Sequence, residues 1–152
     1  MLFRSFESPA ALLAASGSDL GFSDWHAVSQ ERVDSFAHAT GDGQWIHTDP
    51  QRAASGPFGG TIAHGYLTLS MIPMMMWEVS RVDNAQMAVN YGLDKVRFPT
   101  PVLVGSRVRA RVLIGEVTES ARGILVPHEV TVESDSGSKP VCVAQTLTLY
   151  VP

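Results

Sequence analysis

The run TIAHGYLTLSMIPMMMWEV, from Thr61 to Val79, constrains this chain more than any other segment. It falls short of the about 18 to 20 uninterrupted apolar residues that a membrane span needs. His64, Thr68, Ser70 and Pro73 interrupt it further. It therefore reads as a buried helix, kinked or broken near Pro73, whose ring removes one N–H and crowds the preceding turn. A helix that is apolar nearly all round needs cover on more than one side.

The cover is legible downstream. Beyond about Ala85 the apolar period changes to two, the period of a strand. Val108, Ala110, Val112 and Ile114 alternate with Arg107, Arg109 and Arg111. Ile124, Val126, Val130 and Val132 share a parity that Glu129, Thr131 and Glu133 do not, and His128 falls on the apolar side as a core histidine with its polar atoms satisfied. In the last strand Val141, Val143, Leu147 and Leu149 oppose Cys142, Thr146 and Thr148. Such alternation describes antiparallel strands with one covered face. The expected class is α+β, a single domain over residues 1–152 in which a curved antiparallel sheet wraps around the central apolar helix.

The first half is mixed. Residues 1–21 read as an N-terminal extension with a short helix, capped by Ser8 and opened by Pro9. Phe22 to Val28 reads as a short strand. Ser29 caps a helix over Gln30 to Ala39, with Glu31 in its first turn, an apolar stripe of Val33, Phe36 and Ala37, and Gly41 at its end. Asp49 and Pro50 start another short helix through Ala54, and GPFGG makes a tight loop that lacks both phosphate-loop patterns.

Composition narrows the partners. In a chain of 152 residues 45% are apolar, ample for one core, and this excludes extensive disorder. Charged residues are 17%, against roughly 25% in an average soluble chain, which suggests surface hidden in a second copy, a homodimer. A net charge of −4 leaves no basic field for nucleic acid. The single cysteine, Cys142, forms no internal disulfide, and Ala10 to Ala15 follows no basic segment, so no targeting signal or membrane anchor is expected and the location reads as cytoplasmic.

The chemistry concentrates in ATGDGQWIHTDP, from Ala39 to Pro50. Asp42 and His47 lie five residues apart across a turn, where a carboxylate and an imidazole can hold a water and exchange a proton near neutral pH. The competing reading is local: Asp42 caps a turn, His47 packs under Trp45, and Asp49 caps the next helix. Gly65 opens the apolar helix, where amides lack helical acceptors and the helix dipole favours negative charge. His64 either lines a site or caps that helix. Met71, Met74, Met75 and Met76 read as core filling or as an adaptable tunnel. Arg107, Arg109 and Arg111 read as a solvated face, with phosphate contacts as the alternative; Lys95 and Arg97 are equally placed for phosphate. Asp34, His38 and Asp42 have helical spacing, but Gly41 interrupts the helix and no metal is expected.

GDGQWIHTDP followed by GTIAHGYLTLS resembles the (R)-specific enoyl-CoA hydratases, or MaoC-like dehydratases, of the hot-dog fold. Gly41, Asp42, Ile46, His47, Asp49 and Pro50 match that family's pattern, as do Ala63, His64 and Gly65. Gln44 and Trp45 depart from the usual Asn and Pro. NYGLDKVRFPTPVLVGSRVR is similar to the segment that follows the helix in single-domain members, so the resemblance covers about residues 22 to 150. It implies reversible syn-hydration of a trans-2-enoyl-CoA to a (3R)-3-hydroxyacyl-CoA, without cofactor. Asp42 and His47 would share the proton work, with the direction of transfer open. The Gly65 amide would hold the thioester oxygen, and His64, Gln44 and Arg97 would contact the acyl-CoA. The alternatives are an acyl-thioester-binding or thioesterase-like hot-dog protein and a non-catalytic module. Thioesterase relatives usually carry a carboxylate on the central helix, and none occurs here from His64 to Met76.

Overall fold

The core lies between one face of a seven-stranded sheet and a helix that is broken once. The computed structural model describes residues 3–152. The chain opens with β1 (Arg4–Phe6) and a 3-10 helix over Pro9–Ala15, followed by β2 (Asp19–Phe22) and β3 (His26–Ala27). Three helices come next: α1 (Gln30–Thr40), α2 (Trp45–Thr48) and α3 (Pro50–Ala54). The apolar run forms α4 (Gly65–Ser70) and α5 (Ile72–Val79). The strands β4 (Ser80–Val82), β5 (Met87–Arg97), β6 (Arg107–Ile114), β7 (Thr118–Ser120), β8 (Gly123–Ser134) and β9 (Pro140–Val151) complete it.

The central helix breaks at Met71, and Pro73 sits just inside α5, where its missing N–H removes no helical bond. Before Gly65 the run is extended: Ile62 bridges Leu103, and the Ala63 N–H donates to the Val102 carbonyl at 2.8 Å. No helix among the described residues is long and apolar enough to cross a membrane.

The large sheet runs β2-β6-β8-β9-β5, antiparallel between these neighbours, with β3 beside β6 and β7 beside β8. The expected alternation holds in β6 and β8, where Val108, Ala110, Val112, Val126, Val130 and Val132 are buried beneath Ile72, Met75 and Val79. The same pairing corrects β9. Ala144 faces Val130 and Cys142 faces Val132, so the inward set is Cys142, Ala144, Thr146 and Thr148. Val143 is 41% exposed, and Leu147 and Leu149 share its outward side. Val141 is buried as well, next to the register shift between Val132 and Glu133.

Two further expectations change. Ahead of β2, where Phe6, Leu12 and Ala15 belong to the core, the 3-10 turn forms without the expected side-chain cap from Ser8. The strand expected from Phe22 to Val28 is split in two, because the Ser23 hydroxyl takes the Ala110 N–H at 2.9 Å in place of a ladder carbonyl.

His128 is buried on the inner face as expected, yet its Nδ1 has no partner among the described residues, so it is not the satisfied histidine expected. Burial pushes its pKa down to about 4. The neutral ring is the folded form, so its stabilisation is complete above the ordinary value of about 6.5 and is lost as pH falls from there towards 4. Between pH 7 and pH 5 the wild type should lose about 2 kcal/mol more than His128→Leu in urea denaturation. Equal losses would show that His128 does not govern this acid limb.

Candidate active site

α1 ends where Gly41 adopts φ 81, a left-handed conformation suited to glycine, and donates to the Ala37 carbonyl at 2.8 Å. The chain then leaves the helix axis, so Asp42 no longer shares a face with Asp34 and His38. Asp42 stands exposed, and the single turn of α2 directs His47 inward to 6% exposure.

The His47 Nδ1 lies 2.7 Å from the Ile62 carbonyl oxygen. A carbonyl only accepts, so Nδ1 carries the proton and Nε2 of the neutral ring keeps its lone pair. The Ile62 N–H donates to the Ile46 carbonyl at 3.0 Å, closing the loop from the other side. Gln30 adds a brace that sequence pattern alone did not reveal. Its amide donates to the His47 carbonyl at 2.7 Å, and its oxygen accepts from the Thr61 hydroxyl at 2.6 Å.

His64 is 3% exposed and stacks on His47 with ring centroids 3.8 Å apart. Its Nε2 donates to the Asp42 backbone carbonyl at 2.9 Å and lies 4.0 Å from the carboxylate. His47 therefore packs against His64 and not under Trp45, which instead meets the Arg52 guanidinium at 4.3 Å. Asp42, His47 and His64 each bring a polar atom within 4.8 Å of the others. His47 Nδ1 and His64 Nε2 donate to carbonyls, which leaves His47 Nε2 and the buried, unpartnered Nδ1 of His64 as the lone-pair nitrogens of the trio.

The other candidates are placed as follows. Asp49 caps α3 by accepting from the Arg52 N–H at 3.0 Å, the local role expected of it. Gln44 precedes α2, and its carbonyl accepts from the His47 N–H at 3.0 Å. Arg107, Arg109 and Arg111 pair with Asp135, Glu133 and Asp19, so this face is solvated and its cations are neutralised. Arg97 is exposed, donates only to the Val96 carbonyl and has no carboxylate partner among the described residues.

Gly65 opens α4, and its amide, like that of Tyr66, has no helical acceptor. A Cβ on Gly65 would come within 2.8 Å of the Phe98 ring, a neighbour that the sequence did not suggest. An alanine there would thus strike protein as well as any ligand. Gly65→Ala should cost roughly 1 to 2 kcal/mol, a few degrees of melting temperature, as Phe98 is displaced. Adding Phe98→Ala should recover the part of that loss caused by the clash, relative to Phe98→Ala alone. A double mutant without such coupling would remove the contact from the account.

The family description "MaoC like domain" matches residues 12–136. The 3-hydroxyacyl-thioester dehydratase Z of Mycobacterium tuberculosis (strain ATCC 25618 / H37Rv) is 50% identical over 149 residues, 97% of this chain and 99% of that one. Nodulation protein N of Rhizobium leguminosarum bv. viciae is 46% identical over 136 residues, 88% of this chain and 84% of that one. The unliganded R-hydratase PhaJ1 of Pseudomonas aeruginosa superposes with a TM-score of 0.75 at 21% identity, covering 95% of this chain and 85% of that one. That likeness carries the fold, which is the hot-dog arrangement of a sheet around a central helix.

Proposed function

The chain belongs to the MaoC-like dehydratase family of hydro-lyases, and from that premise we propose that it reversibly adds water to a trans-2-enoyl-CoA to give a (3R)-3-hydroxyacyl-CoA. The observation that carries the reading is the locked tautomer of His47. With Nδ1 tied to Ile62, its Nε2 and the free carboxylate of Asp42 are both acceptors, suited to the two hydrogens of one water.

The water oxygen bonds to Cβ as the π electrons move towards Cα and the thioester oxygen. The Asp42 and His47 pair takes one proton from that water and returns it to Cα on the same face, which makes the addition syn. The Gly65 amide meets the developing negative charge on the thioester oxygen, as an amide without a helical acceptor can. His64 holds the pair together: it grips the backbone of Asp42 and supports the ring of His47. Gln44, exposed and two residues from Asp42, and Arg97, exposed and without a carboxylate partner among the described residues, are assigned to contact the acyl-CoA, Arg97 through a CoA phosphate.

A cavity of about 490 Å³ lies between the end of α4, α5 and the inner side of β5 and β9, and none of Asp42, His47, His64 and Gly65 lines it. Met76 lines it, whereas Met71 and Met75 are core. The thioesterase-like alternative lacks a free carboxylate on the helix. Glu78 of α5 is held by His26 at 2.8 Å and by the Asp24 N–H at 3.0 Å.

Asp42→Asn and His47→Ala should each lower kcat for crotonyl-CoA hydration by about a hundredfold or more. The double variant should cost little more than the worse single, since groups acting as a unit are not additive. Chiral analysis of the product checks the (3R) assignment, and near-normal turnover in either variant would remove that residue from the reaction.

The working form is a homodimer. β5 is an edge strand, and Met87, Val89, Tyr91 and Leu93 on it are each more than a third exposed. Long apolar edges are rarely left bare. Light scattering at micromolar protein should give about twice 16.4 kDa; a monomer would overturn the assembly without touching the chemistry.

A further inference from the structure

We propose that Gln30 is a positioning residue for the reaction: it fixes the direction of the His47 lone pair by tying together the two segments that the histidine joins. The effect on turnover rests on the hydratase reading; the hold on the ring does not.

Gln30 is the first residue of α1, half-buried, and both hydrogens of its amide are in use. Nε2 donates to the His47 carbonyl at 2.7 Å and to the Asp34 carboxylate at 2.9 Å. Those oxygens only accept, so the orientation of the amide is fixed by its partners. The amide oxygen therefore faces the Thr61 hydroxyl and accepts from it at 2.6 Å. One planar group thus joins the head of α1, the single turn of α2 and the extended stretch before α4.

Two of those three points are anchored to one short segment, Val104 to Ser106. Two residues before Gln30, the Val28 carbonyl accepts from the Gly105 N–H at 2.8 Å, and the Val28 N–H donates to the Ser106 carbonyl at 2.9 Å. The Thr61 carbonyl accepts from the Val104 N–H at 2.9 Å. His47 is the suspended point, because its turn follows the exposed residues Gly41 to Gln44. Without Gln30 the bond from His47 Nδ1 to Ile62 would carry more of the tie between these segments, and that bond is the one that sets the tautomer. A general base acts through the direction of one lone pair, and a displacement of about 1 Å can cost most of its rate. Gln30 grips the main chain of His47 and not its ring, so its effect passes through the histidine. Its loss should therefore fall on kcat and leave KM in place.

The test measures crotonyl-CoA hydration and nitrogen NMR of the His47 ring on the same preparations of the full chain, with His47 assigned by its absence in His47→Ala. Gln30→Met keeps the length of the side chain and removes its hydrogen bonds. Its kcat should fall at least about tenfold while KM stays within about twofold. The wild-type ring should show Nδ1 protonated and Nε2 bare; in Gln30→Met the two signals should move towards averaged values. Gln30→Glu is the second variant, since its carboxylate still accepts from Thr61 but has no hydrogen for the His47 carbonyl. It should lose rate and tautomer in the same way. A kcat within about twofold of wild type in either variant, or a loss of rate with the single tautomer intact, would overturn the proposal. If the wild type leaves crotonyl-CoA unchanged, the hydratase reading fails. The spectrum then decides alone: averaged signals in Gln30→Met uphold the hold on His47, and unchanged signals overturn it.

Discussion

The hydrogen bond from the buried Nδ1 of His47 to the Ile62 carbonyl holds this site together. It joins two segments that local structure would leave apart, the single turn of α2 and the extended stretch before α4. Ile62 is itself bridged to Leu103, so the histidine is referred to the far side of the domain and not to a flexible loop. The same bond settles which ring nitrogen is free. In a poorly solvated setting such a bond is stronger than in water, and an unmatched partner would be costly. His64 repeats the device in the other direction, reaching from the head of the helix to the Asp42 carbonyl. Both groups of the proposed pair are thus positioned through backbone carbonyls, while the Asp42 carboxylate and His47 Nε2 remain available.

Downstream of that clamp, the sheet divides its duties by face and by edge. Over β6 the outer face is wet: three arginines pair with Asp19 on β2, Glu133 on β8 and Asp135 just beyond β8, and Arg109 lies 4.3 Å from the Phe22 ring and 4.5 Å from that of Trp25. Such exposed pairs add little stability each, but they leave no unpaired cation on that strand and keep the face soluble. At the opposite edge, β5 and the outward side of β9 present Val89, Val143, Leu147 and Leu149. An apolar outer side beside a bare strand edge is what supports the proposed second copy. The inner side of the same two strands carries Asn90, Thr146 and Thr148. The two faces of β9 are thus mixed: Cys142, Ala144, Thr146 and Thr148 face inward, and Val143, Leu147 and Leu149 share the outward side with Gln145.

That mixture separates what the sequence determined from what only the tertiary structure decided. Apolar periodicity assigned the buried faces of β6 and β8, because their outward positions are charged and leave one parity for the core. In β9 both parities are partly apolar, so its inward side was set by pairing with β8, an interaction between residues far apart in the chain. The helix stop at Gly41, the cap at Asp49 and the Asp42–His47 motif were legible because each depends on residues within a few positions of one another. The brace from Gln30, the grip of His64 on Asp42 and the Phe98 ring over Gly65 were not. Each joins residues separated by 17 or more positions, and nothing local in the sequence encodes where the chain will cross itself.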